Sequence, residues 1–586
     1  MFLRATRRKK DGKEHRYWSV VENRRVRGGC TVQKTLLYLG ELNDSQQAGW
    51  CRTIAATAEH RSTQLALFPA DRTPPPDVPA VQVQMAKLAL HRPRQWGACW
   101  LALTLWDRLR LDAFWSPRLP PSREGTSWLQ VLKTLAAYRL IEPGSEWRLH
   151  RVWFERSAMA DLLGADFGVA AKDTLYRCLD KIVAHKAALC SHLKEQWADL
   201  FGATFEVLLY DLTSTYFECD PPAGEEALRR HGYSRDKRPD CVQVVIALIV
   251  TPEGLPLAYD VLKGNTAEPT TLPDFLRRIE QQYGQAERIW IMDRGIPTDA
   301  VLAAMRARTP PVLYLVGTPK SRLSRLEQAF LGQPWQRVKE QVQVKLHTEE
   351  GELYVLARSA DRANKERAMR RRKLKRLWKR LQQLAQMTQR PEEWLMRLGA
   401  ARKEAGQVWR LADVQTDPFR FRLNKARVRQ VRAREGRYLL RSNLQGHDPA
   451  VLWTLYIQLT EIEQAFKELK QDLSLRPIYH RTDPRIEAHI FVSFLSYCLL
   501  VTLKQQLKAH APGLTPRSVI EQMHAIQMLD VQVPTTDGRW LTMSRYTQPD
   551  PSQQLILAQL GLLLPPQPPP RITSESPSTG PAVVKT

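Results

Sequence analysis

The sequence predicts an α/β protein with a mixed central sheet, preceded by a small β-rich unit and a helical domain and interrupted by an α+β insertion. Three observations indicate this fold class. Short apolar runs typical of buried strands fall between residues 205 and 316, apolar residues recur at helical spacing on both sides of them, and a basic segment of mixed pattern follows. With 586 residues, 43% of them hydrophobic, the chain can bury the cores of several domains.

The pattern divides the chain into segments with different composition. We predict a small β-rich N-terminal unit (1–66), a Pro-rich linker (67–80), a helical domain (81–203), the first part of the core (204–317), a basic insertion with strands at its C-terminal side (318–450), the second part of the core with C-terminal helices (451–564) and a disordered tail (565–586). The helical domain is either DNA-binding or a cap on the core, and its periodicity favours neither interpretation.

The N-terminal unit and the core contain the strand signals. In the N-terminal unit, strands are predicted at 17–21 and 35–40, with a basic turn between them. In the core, apolar runs predict strands at 205–210, 242–250, 255–261, 288–292 and 311–316, and helices fit 270–283 and 298–308. Three strands, a helix, a strand, a helix and a strand describe an RNase H-like core.

The insertion combines a basic helix with short strands. Residues 362–390 have a helical pattern dense in Arg and Lys, and strands are predicted at 406–411, 419–423 and 438–441. We expect few acidic partners for this helix, which favours a DNA-binding surface over a merely solvated one. Trp409 and Phe421 lie in the predicted strands, where aromatic residues are usually core.

Charge and cysteine usage limit the class of protein. The 87 Lys and Arg residues exceed the 61 Asp and Glu residues and give a formal charge of +26, which predicts a nucleic-acid partner. The eight cysteines are scattered and form no CxxC pair, which argues against a zinc module or a disulfide framework. The N-terminus lacks a secretory apolar stretch, and the apolar run at 491–503 is typical of a buried helix. We therefore expect a cytoplasmic protein.

Acidic residues follow two of the predicted strands. Asp211 and Asp293 each end an apolar run, and sites in α/β proteins collect at the carboxyl ends of strands. A carboxylate after an apolar run is costly unless it lies in a cleft or binds a cation. A single such Asp is usually a turn residue, but two on adjacent strands favour a site.

A third acid lies on a predicted amphipathic helix at 455–473. Its apolar positions recur every three or four residues, and Tyr456, Glu463 and Lys470 follow at seven-residue steps along a neighbouring stripe. Spacing alone favours the interpretation that these three residues are simply solvated.

A resemblance to a known family adds to this interpretation. The motif Tyr456-x2-Leu459-x3-Glu463-x6-Lys470 resembles the Y-x2-R-x3-E-x6-K signature of DDE transposases in the insertion-sequence four and sixteen-thirty-four groups. Further stretches similar to that family, in the family's order, are residues 210–215, 231–240, 264–266, 292–295 and 475–480. The family's Arg is replaced by Leu459, so the resemblance implies either weaker binding of the element ends or a phosphate contact from another residue, with Arg235, Lys237, Arg238 and the basic residues of the insertion as candidates. In hairpin-forming relatives the insertion is linked to a step in which an extruded base stacks on an aromatic ring, a role that Trp409 and Phe421 could take here.

The resemblance implies an activity and a site. It implies a transposase that binds terminal inverted repeats, cleaves DNA at the element ends and joins the 3′-OH to target DNA, working as a homodimer in a synaptic complex. Asp211, Asp293 and Glu463 would hold two Mg²⁺ or Mn²⁺ ions. The residues expected to contact DNA are Tyr456, Lys470, Arg235, Lys237, Arg238, Arg371 and Lys375. An inactive or domesticated transposase that binds DNA, and an RNase H-like nuclease, are the alternatives.

Overall fold

The computed structural model describes residues 1–574, except for 11–12, 26–30, 44–45, 52–53, 55–82, 223, 225, 237, 285–286, 294–296, 319–325, 327–328, 331–332, 340–341 and 388–390. The linker predicted at 67–80, Lys237 and residues 575–586 of the predicted tail therefore lie outside the described residues.

The N-terminal unit is an antiparallel sheet of three strands. They are β1 (Phe2–Lys10), β2 (Lys13–Arg25) and β3 (Thr31–Gly40), in that order. The strands predicted at 17–21 and 35–40 are confirmed. Strand β1 was missed because its Arg- and Lys-rich sequence contains no apolar run.

The region that follows is helical, as predicted, after a short strand β4 (Ala89–Gln95). Its helices are α1 (Gly97–Arg108), α2 (Leu111–Trp115), α3 (Trp128–Ile141), α4 (Glu146–Arg148), α5 (Phe154–Arg156), α6 (Met159–Leu163), α7 (Lys172–Ile182) and α8 (Lys186–Phe201). Single turns of 3₁₀- or π-helix connect some of them, at Leu149–Trp153, Phe167–Ala170 and Val183–His185.

The predicted core elements are confirmed. They are β5 (Val207–Phe217), β6 (Val242–Val250), β7 (Pro256–Lys263), α9 (Glu268–Tyr283), β8 (Ile289–Met292), α10 (Asp299–Ala307) and β9 (Leu313–Thr318). Strands β5, β6 and β7 pair antiparallel, whereas β5, β8 and β9 pair parallel. Alternate residues of β5 and β6 enter two different apolar clusters, so both faces of the sheet are covered.

The segment predicted as an insertion also contributes strands to the core sheet. Its elements are β10 (Gln336–Lys339), β11 (Val342–Glu349), β12 (Glu352–Ser359), α11 (Ala360–Ala385), α12 (Pro391–Ala405), β13 (Ala412–Thr416), β14 (Phe419–Leu423), α13 (Lys425–Arg434) and β15 (Arg437–Ser442). Strands β10, β11, β12 and β15 join the core strands in one sheet of the order β10-β11-β12-β15-β9-β8-β5-β6-β7, whereas β13 and β14 pair with each other in a separate two-stranded sheet.

One strand predicted in the insertion is wrong. Residues Gly406–Leu411 form a 3₁₀-helix. Val408 and Leu411, three residues apart, are both buried in a small cluster with Leu377 and Leu381 of α11. A three-residue spacing places both side chains on one side of a 3₁₀-helix, whereas a strand would place them on opposite faces.

The C-terminal region returns to helices and closes a second sheet. Its elements are α14 (Pro449–Ile457), α15 (Leu459–Lys467), a π-helical turn (Glu468–Asp472), α16 (Asp483–His510), α17 (Pro516–His524), β16 (Gln527–Pro534), β17 (Trp540–Tyr546), α18 (Pro551–Gln559) and β18 (Arg571–Thr573). Strand β18 pairs with β17, so the start of the predicted disordered tail is ordered. Strand β4 joins the same sheet by pairing with β16.

Helix α16 is the centre of the helical packing. It is long and apolar enough to cross a membrane, but 94% of its most apolar window is buried inside the protein, as predicted for 491–503. It packs against α1, α3, α7 and α8 and so joins the helical region to the second part of the core.

Candidate active site

Asp211 lies inside strand β5, whereas the sequence predicted it at the end of the strand. On one side, β5 pairs with the short strand β8 along Val207–Tyr210. On the other side it continues beside β6 as far as Phe217, with Asp211 opposite Leu248. The longer β6 keeps β5 extended after β8 has ended. Asp211 is therefore the first residue of β5 beyond its pairing with β8.

Asp293 directly follows β8, as predicted. The last pair of the β5–β8 ladder is Tyr210 with Met292, so Asp211 and Asp293 occupy the next position on each strand. Neighbouring strands lie about 4.8 Å apart, and both backbones run in the same direction. The two carboxylates therefore belong to one edge of the sheet.

Glu463 is brought to the same edge by helix α15. The buried face of this helix packs against β5 and β6, and it consists of Leu459, Ile462, Ala465 and Phe466. Partial burial and repulsion from the nearby Asp293 carboxylate raise the pKa of Glu463, and the Arg362 guanidinium partly offsets this effect. The Glu463 carboxyl thus lies within electrostatic reach of Asp293.

The helix predicted at 455–473 is not continuous. Around Gln458 the backbone hydrogen bonds join residues three apart, as in a 3₁₀-helix. The backbone N–H of Gln458 donates to the Leu455 carbonyl, and the backbone N–H of Glu461 donates to the Gln458 carbonyl. Tyr456 is on α14, Glu463 on α15 and Lys470 in the π-helical turn. The seven-residue steps therefore do not form one straight helical stripe.

The segment 231–240 lies beside Asp211. The Arg235 guanidinium is 3.8 Å from the Asp211 carboxylate, and the Arg235 amide contacts the Ser214 hydroxyl at 3.4 Å. The Asp236 carboxylate forms ion pairs with the Lys470 ammonium at 3.3 Å and with the Arg476 guanidinium at 2.8 Å. Asp236 and Arg476 lie in the stretches 231–240 and 475–480 that resemble the family, but neither residue was predicted to belong to the site.

Two glycines allow the backbone of this segment to lie close to the sheet. A Cβ atom on Gly232 would lie 2.0 Å from the Gly264 carbonyl oxygen, and one on Gly264 would lie 2.0 Å from the Gln243 carbonyl oxygen. The Gln243 side chain donates hydrogen bonds to the Gly264 and Tyr233 carbonyls. These contacts require backbones without side chains at both positions, which explains the glycines in the two motifs.

The other residues predicted to contact DNA differ in their surroundings. Tyr456 is half-buried and packs against Tyr438 and Trp453, with ring centroids 6.0 and 6.3 Å away. Arg238 is bound to Glu218 and Asp240. Burial and the nearby Arg476 lower the pKa of Lys470, whereas its pair with Asp236 raises it.

The basic helix α11 has more acidic partners than expected. Arg370 forms a buried pair with Glu435 at 2.6 Å, and four further residues approach carboxylates within 4 Å: Arg362, Arg367, Arg376 and Arg380. Arg371 and Lys375 are exposed, and no described carboxylate lies within 4.0 Å of them. The helix is therefore partly neutralised, and these two residues belong to its unneutralised surface.

The aromatic residues of the insertion pack inward. Phe421 stacks edge-on against Trp378 at 5.0 Å and contacts Phe419, and Trp409 packs against the same apolar cluster. The geometry favours core packing over base stacking for Trp409 and Phe421.

A buried ionic cluster outside this site was not predicted. The Glu146 carboxylate lies 3.2 Å from His489, 3.4 Å from His480 and 3.7 Å from Arg139. Glu146, His480 and His489 have metal-ligand chemistry, with ligand atoms within 4.8 Å of one another. The adjacent Arg139 guanidinium already supplies the positive charge, so the cluster is a buried ion pair with two histidines.

Leu459, which replaces the family's Arg, is 9% exposed and packs in the core. In this protein, position 459 therefore contributes an apolar side chain to the core.

Two models of transposase domains match this chain, in agreement with the family resemblance of its motifs. Residues 3–70 match the N-terminal domain of IS1634 family transposases, and residues 214–499 match the transposase DDE domain; Asp293 and Glu463 lie inside the second match and Asp211 just before it. The cryo-EM structure of a piggyBac transposase synaptic complex with hairpin DNA is similar over 72% of this chain and 79% of that chain, with 9% identity and a TM-score of 0.34. No curated protein was found to match.

The two family matches together span more than half of the chain and occur in the expected order. Enzymes with the DDE domain act on DNA and depend on divalent metal ions. The chain belongs to the DDE transposases of the IS1634 family and is the transposase of an insertion sequence.

Proposed function

We propose that the protein binds the terminal inverted repeats of its element, cleaves the DNA there and joins the freed 3′-OH ends to target DNA. Asp211, Asp293 and Glu463 would hold two Mg²⁺ or Mn²⁺ ions for both reactions. The observation that carries this proposal is the β5–β8 register, which ends at Tyr210 and Met292 and is followed on each strand by an aspartate.

We also propose that the core is RNase H-like. Its support is the strand order β7-β6-β5-β8-β9, with three antiparallel strands followed by two parallel ones and with α9 and α10 before β8 and β9. In this arrangement the central strand β5 carries the first acid.

The donor groups fit divalent cations of the hard class. All three are carboxylates, and the repulsion that raises the pKa of Glu463 would be relieved by a cation. Within the described residues, the ligand atoms of the three acids do not all lie within 4.8 Å of one another. The proposed arrangement is two ions roughly 3.5–4 Å apart, as in other two-metal sites of phosphoryl transfer.

The residues around the acids suit phosphoryl transfer. When bound, the ions would activate the attacking oxygen and offset the charge that develops on the phosphate and the leaving oxygen. The three carboxylates would hold the ions at the point where the reacting phosphodiester has to lie. Arg235, 3.8 Å from Asp211, and Lys470 would orient the flanking phosphates, and Tyr456 would pack beside the strand end.

DNA capture would rest on the basic surface. The formal charge of +26 favours a polyanion, and Arg371 and Lys375 on α11, together with Lys237 and Arg238, would track the backbone. Two element ends have to be held together before joining, so we propose a homodimer in the synaptic complex. We also propose that the protein works in the bacterial cytoplasm, where the DNA lies.

Cleavage of the element's own ends tests this proposal. We expect the wild type to nick an end-bearing duplex with Mg²⁺ or Mn²⁺, and Asp293→Ala to bind the same duplex without nicking it. Asp199→Ala, a change at an exposed aspartate on α8, serves as the matched control and should cleave normally. Equal cleavage by Asp293→Ala would remove Asp293 from the site.

A further inference from the structure

The Asp236 carboxylate bridges two cationic side chains, Lys470 and Arg476. The Asp236 carboxylate lies 3.3 and 3.4 Å from the Lys470 ammonium and 2.8 Å from the Arg476 guanidinium. The side chains of Asp236, Lys470 and Arg476 are 17%, 11% and 24% exposed, so they are screened from solvent but reachable from it.

This bridge is built beside the candidate active site. Arg235, the residue before Asp236, reaches Asp211 at 3.8 Å. The Arg476 guanidinium also lies over the Tyr216 ring, 5.1 Å from its centroid, and Tyr216 belongs to β5. The bridge therefore contacts β5, the strand that carries Asp211.

The charges of the bridge do not balance. One carboxylate faces an ammonium and a guanidinium, which leaves a local excess of one positive charge. An anion with two accepting oxygens, such as a DNA phosphodiester, offers Lys470 and Arg476 the same contacts that Asp236 now makes. Guanidinium groups are well suited to this role because they can bind two such oxygens at once.

We propose that Lys470 and Arg476 form a binding site for a DNA backbone phosphate and that Asp236 occupies it until DNA displaces the carboxylate. Arg476 then supplies the guanidinium that position 459, buried as Leu459, does not present. The inference rests on the proposed function, because it assigns the cations beside the proposed catalytic acids to a phosphate near the reacting one.

Equilibrium binding of a duplex carrying the element end, measured without divalent metal over a range of salt concentrations, tests the inference. We expect Arg476→Gln to weaken binding about tenfold or more, since the variant cannot make the charge-assisted hydrogen bond to the phosphate. The slope of log affinity against log salt should become shallower by about 0.9, and Arg476→Lys should restore most of that slope. Asp236→Asn should tighten binding about two- to fivefold by removing the competing anion.

The chain offers a matched control. Arg485 also pairs with one aspartate, Asp180 at 3.1 Å, and also lies over a tyrosine ring, that of Tyr176 at 5.4 Å. Arg485→Gln and Asp180→Asn should leave both affinity and salt slope unchanged. Melting temperatures of all variants show which of them remain folded at the binding temperature.

Three results would overturn the inference. They are an Arg476→Gln salt slope equal to that of Arg485→Gln, an Arg476→Lys variant as weak as Arg476→Gln, and an Asp236→Asn variant that binds no more tightly than the wild type. Because binding is measured without cleavage, these results leave the catalytic proposal intact. Failure of the Asp293→Ala cleavage experiment would leave the phosphate site intact.

Discussion

The ionised form of the Glu463 carboxyl is destabilised by its surroundings when no metal ion is bound. Partial burial and the Asp293 carboxylate raise its pKa, so the folded state holds a proton on Glu463 more tightly than the unfolded state does. By linkage, this contribution makes the protein more stable as the pH falls through the raised pKa and less stable above it. A cation between the acids would reverse that penalty.

Calorimetry of Glu463→Gln tests this balance. Without metal at neutral pH, we expect the variant to melt at a higher temperature than the wild type, because the amide has no charge to repel Asp293. With Mg²⁺ at about 100 times its Kd, the wild type should gain about 2.7 kcal/mol and the variant much less.

The control for this experiment is Glu461→Gln on the same helix. Glu461 pairs with Lys504 at 3.2 Å, so its replacement should not raise the melting temperature. A Glu463→Gln variant that melts below the wild type without metal, yet gains as much from Mg²⁺, would show that Glu463 is not a ligand.

Position 459 provides a second test at the residue scale. Restoring the family's residue with Leu459→Arg would bury an unpaired guanidinium, which costs about 3–5 kcal/mol. We expect a lower melting temperature and no gain in DNA affinity. Ile457→Arg, at a 40% exposed position two residues earlier, should leave the melting temperature nearly unchanged. Tighter DNA binding by a stable Leu459→Arg variant would contradict this placement.

The sequence alone is enough to propose the three acids and the nearby Arg235 and Lys470, but not the contacts that surround them. Asp211 and Asp293 follow apolar runs, and Glu463 stands in a motif. The extent of β5 beyond Asp211 was hidden because Thr213, Ser214 and Thr215 are polar, although the sheet buries them. The pairing of Asp236 with Arg476 joins residues 240 positions apart, and no local pattern reports such a contact.

At the scale of elements, helix α11 has one side that packs against the protein and another side that carries basic residues on the surface. Arg370 anchors it to Glu435, and Leu377 and Leu381 pack it against α12 and the 3₁₀-helix, while other basic residues remain on the surface. The sequence predicted the helix correctly but overstated its unpaired charge, because Glu404 and Glu435 lie far along the chain.

Salt-dependent binding tests the exposed side of α11. We expect Arg371→Ala with Lys375→Ala to weaken binding of DNA of any sequence and to lower the salt slope by about 0.9 for each phosphate that the variant no longer neutralises. The control is Arg376→Ala with Arg380→Ala, because both side chains lean toward Glu404 and contribute less to the free positive charge. Equal slopes for the two double variants would contradict a backbone-tracking role for α11.

At the scale of the whole molecule, residues distant in sequence hold the structure together. Arg94 on β4 and Asp530 on β16 form a buried pair at 2.9 Å, and Arg139 and Glu146 meet His489 of α16. The sequence predicted the helical and strand character of these segments, but the pairing of β4 with β16 and of β15 with β9 is non-local. That topology therefore came from the structure alone.

The Glu146 cluster gives the stability a pH dependence. Burial alone would raise the pKa of Glu146, but hydrogen bonds with His480 and His489 and the charge of Arg139 lower it well below its usual value. A lowered pKa means that the ionised carboxylate stabilises the folded state above the ordinary Glu range, and that this stability is lost as the pH falls through the folded-state pKa.

Denaturant unfolding of Glu146→Gln measures this contribution. At neutral pH the variant leaves Arg139 buried without its counter-ion, so we expect a loss of about 3–5 kcal/mol. The difference from the wild type should stay constant above about pH 5 and shrink below about pH 4, as the wild-type carboxyl is protonated. A difference that grew on acidification would show that the carboxylate is not the stabilising form.

The proposed activity depends on Asp211, Asp293 and Glu463 together holding two metal ions. Titration of Mn²⁺ into the protein bound to a duplex with its element end, followed by electron paramagnetic resonance, counts those ions directly. We expect two ions per active site in the wild type and in Asp274→Asn, a change at a 76% exposed aspartate, and fewer in Asp293→Asn. Equal Mn²⁺ uptake by Asp293→Asn and the wild type would contradict a two-ion site built on these three acids.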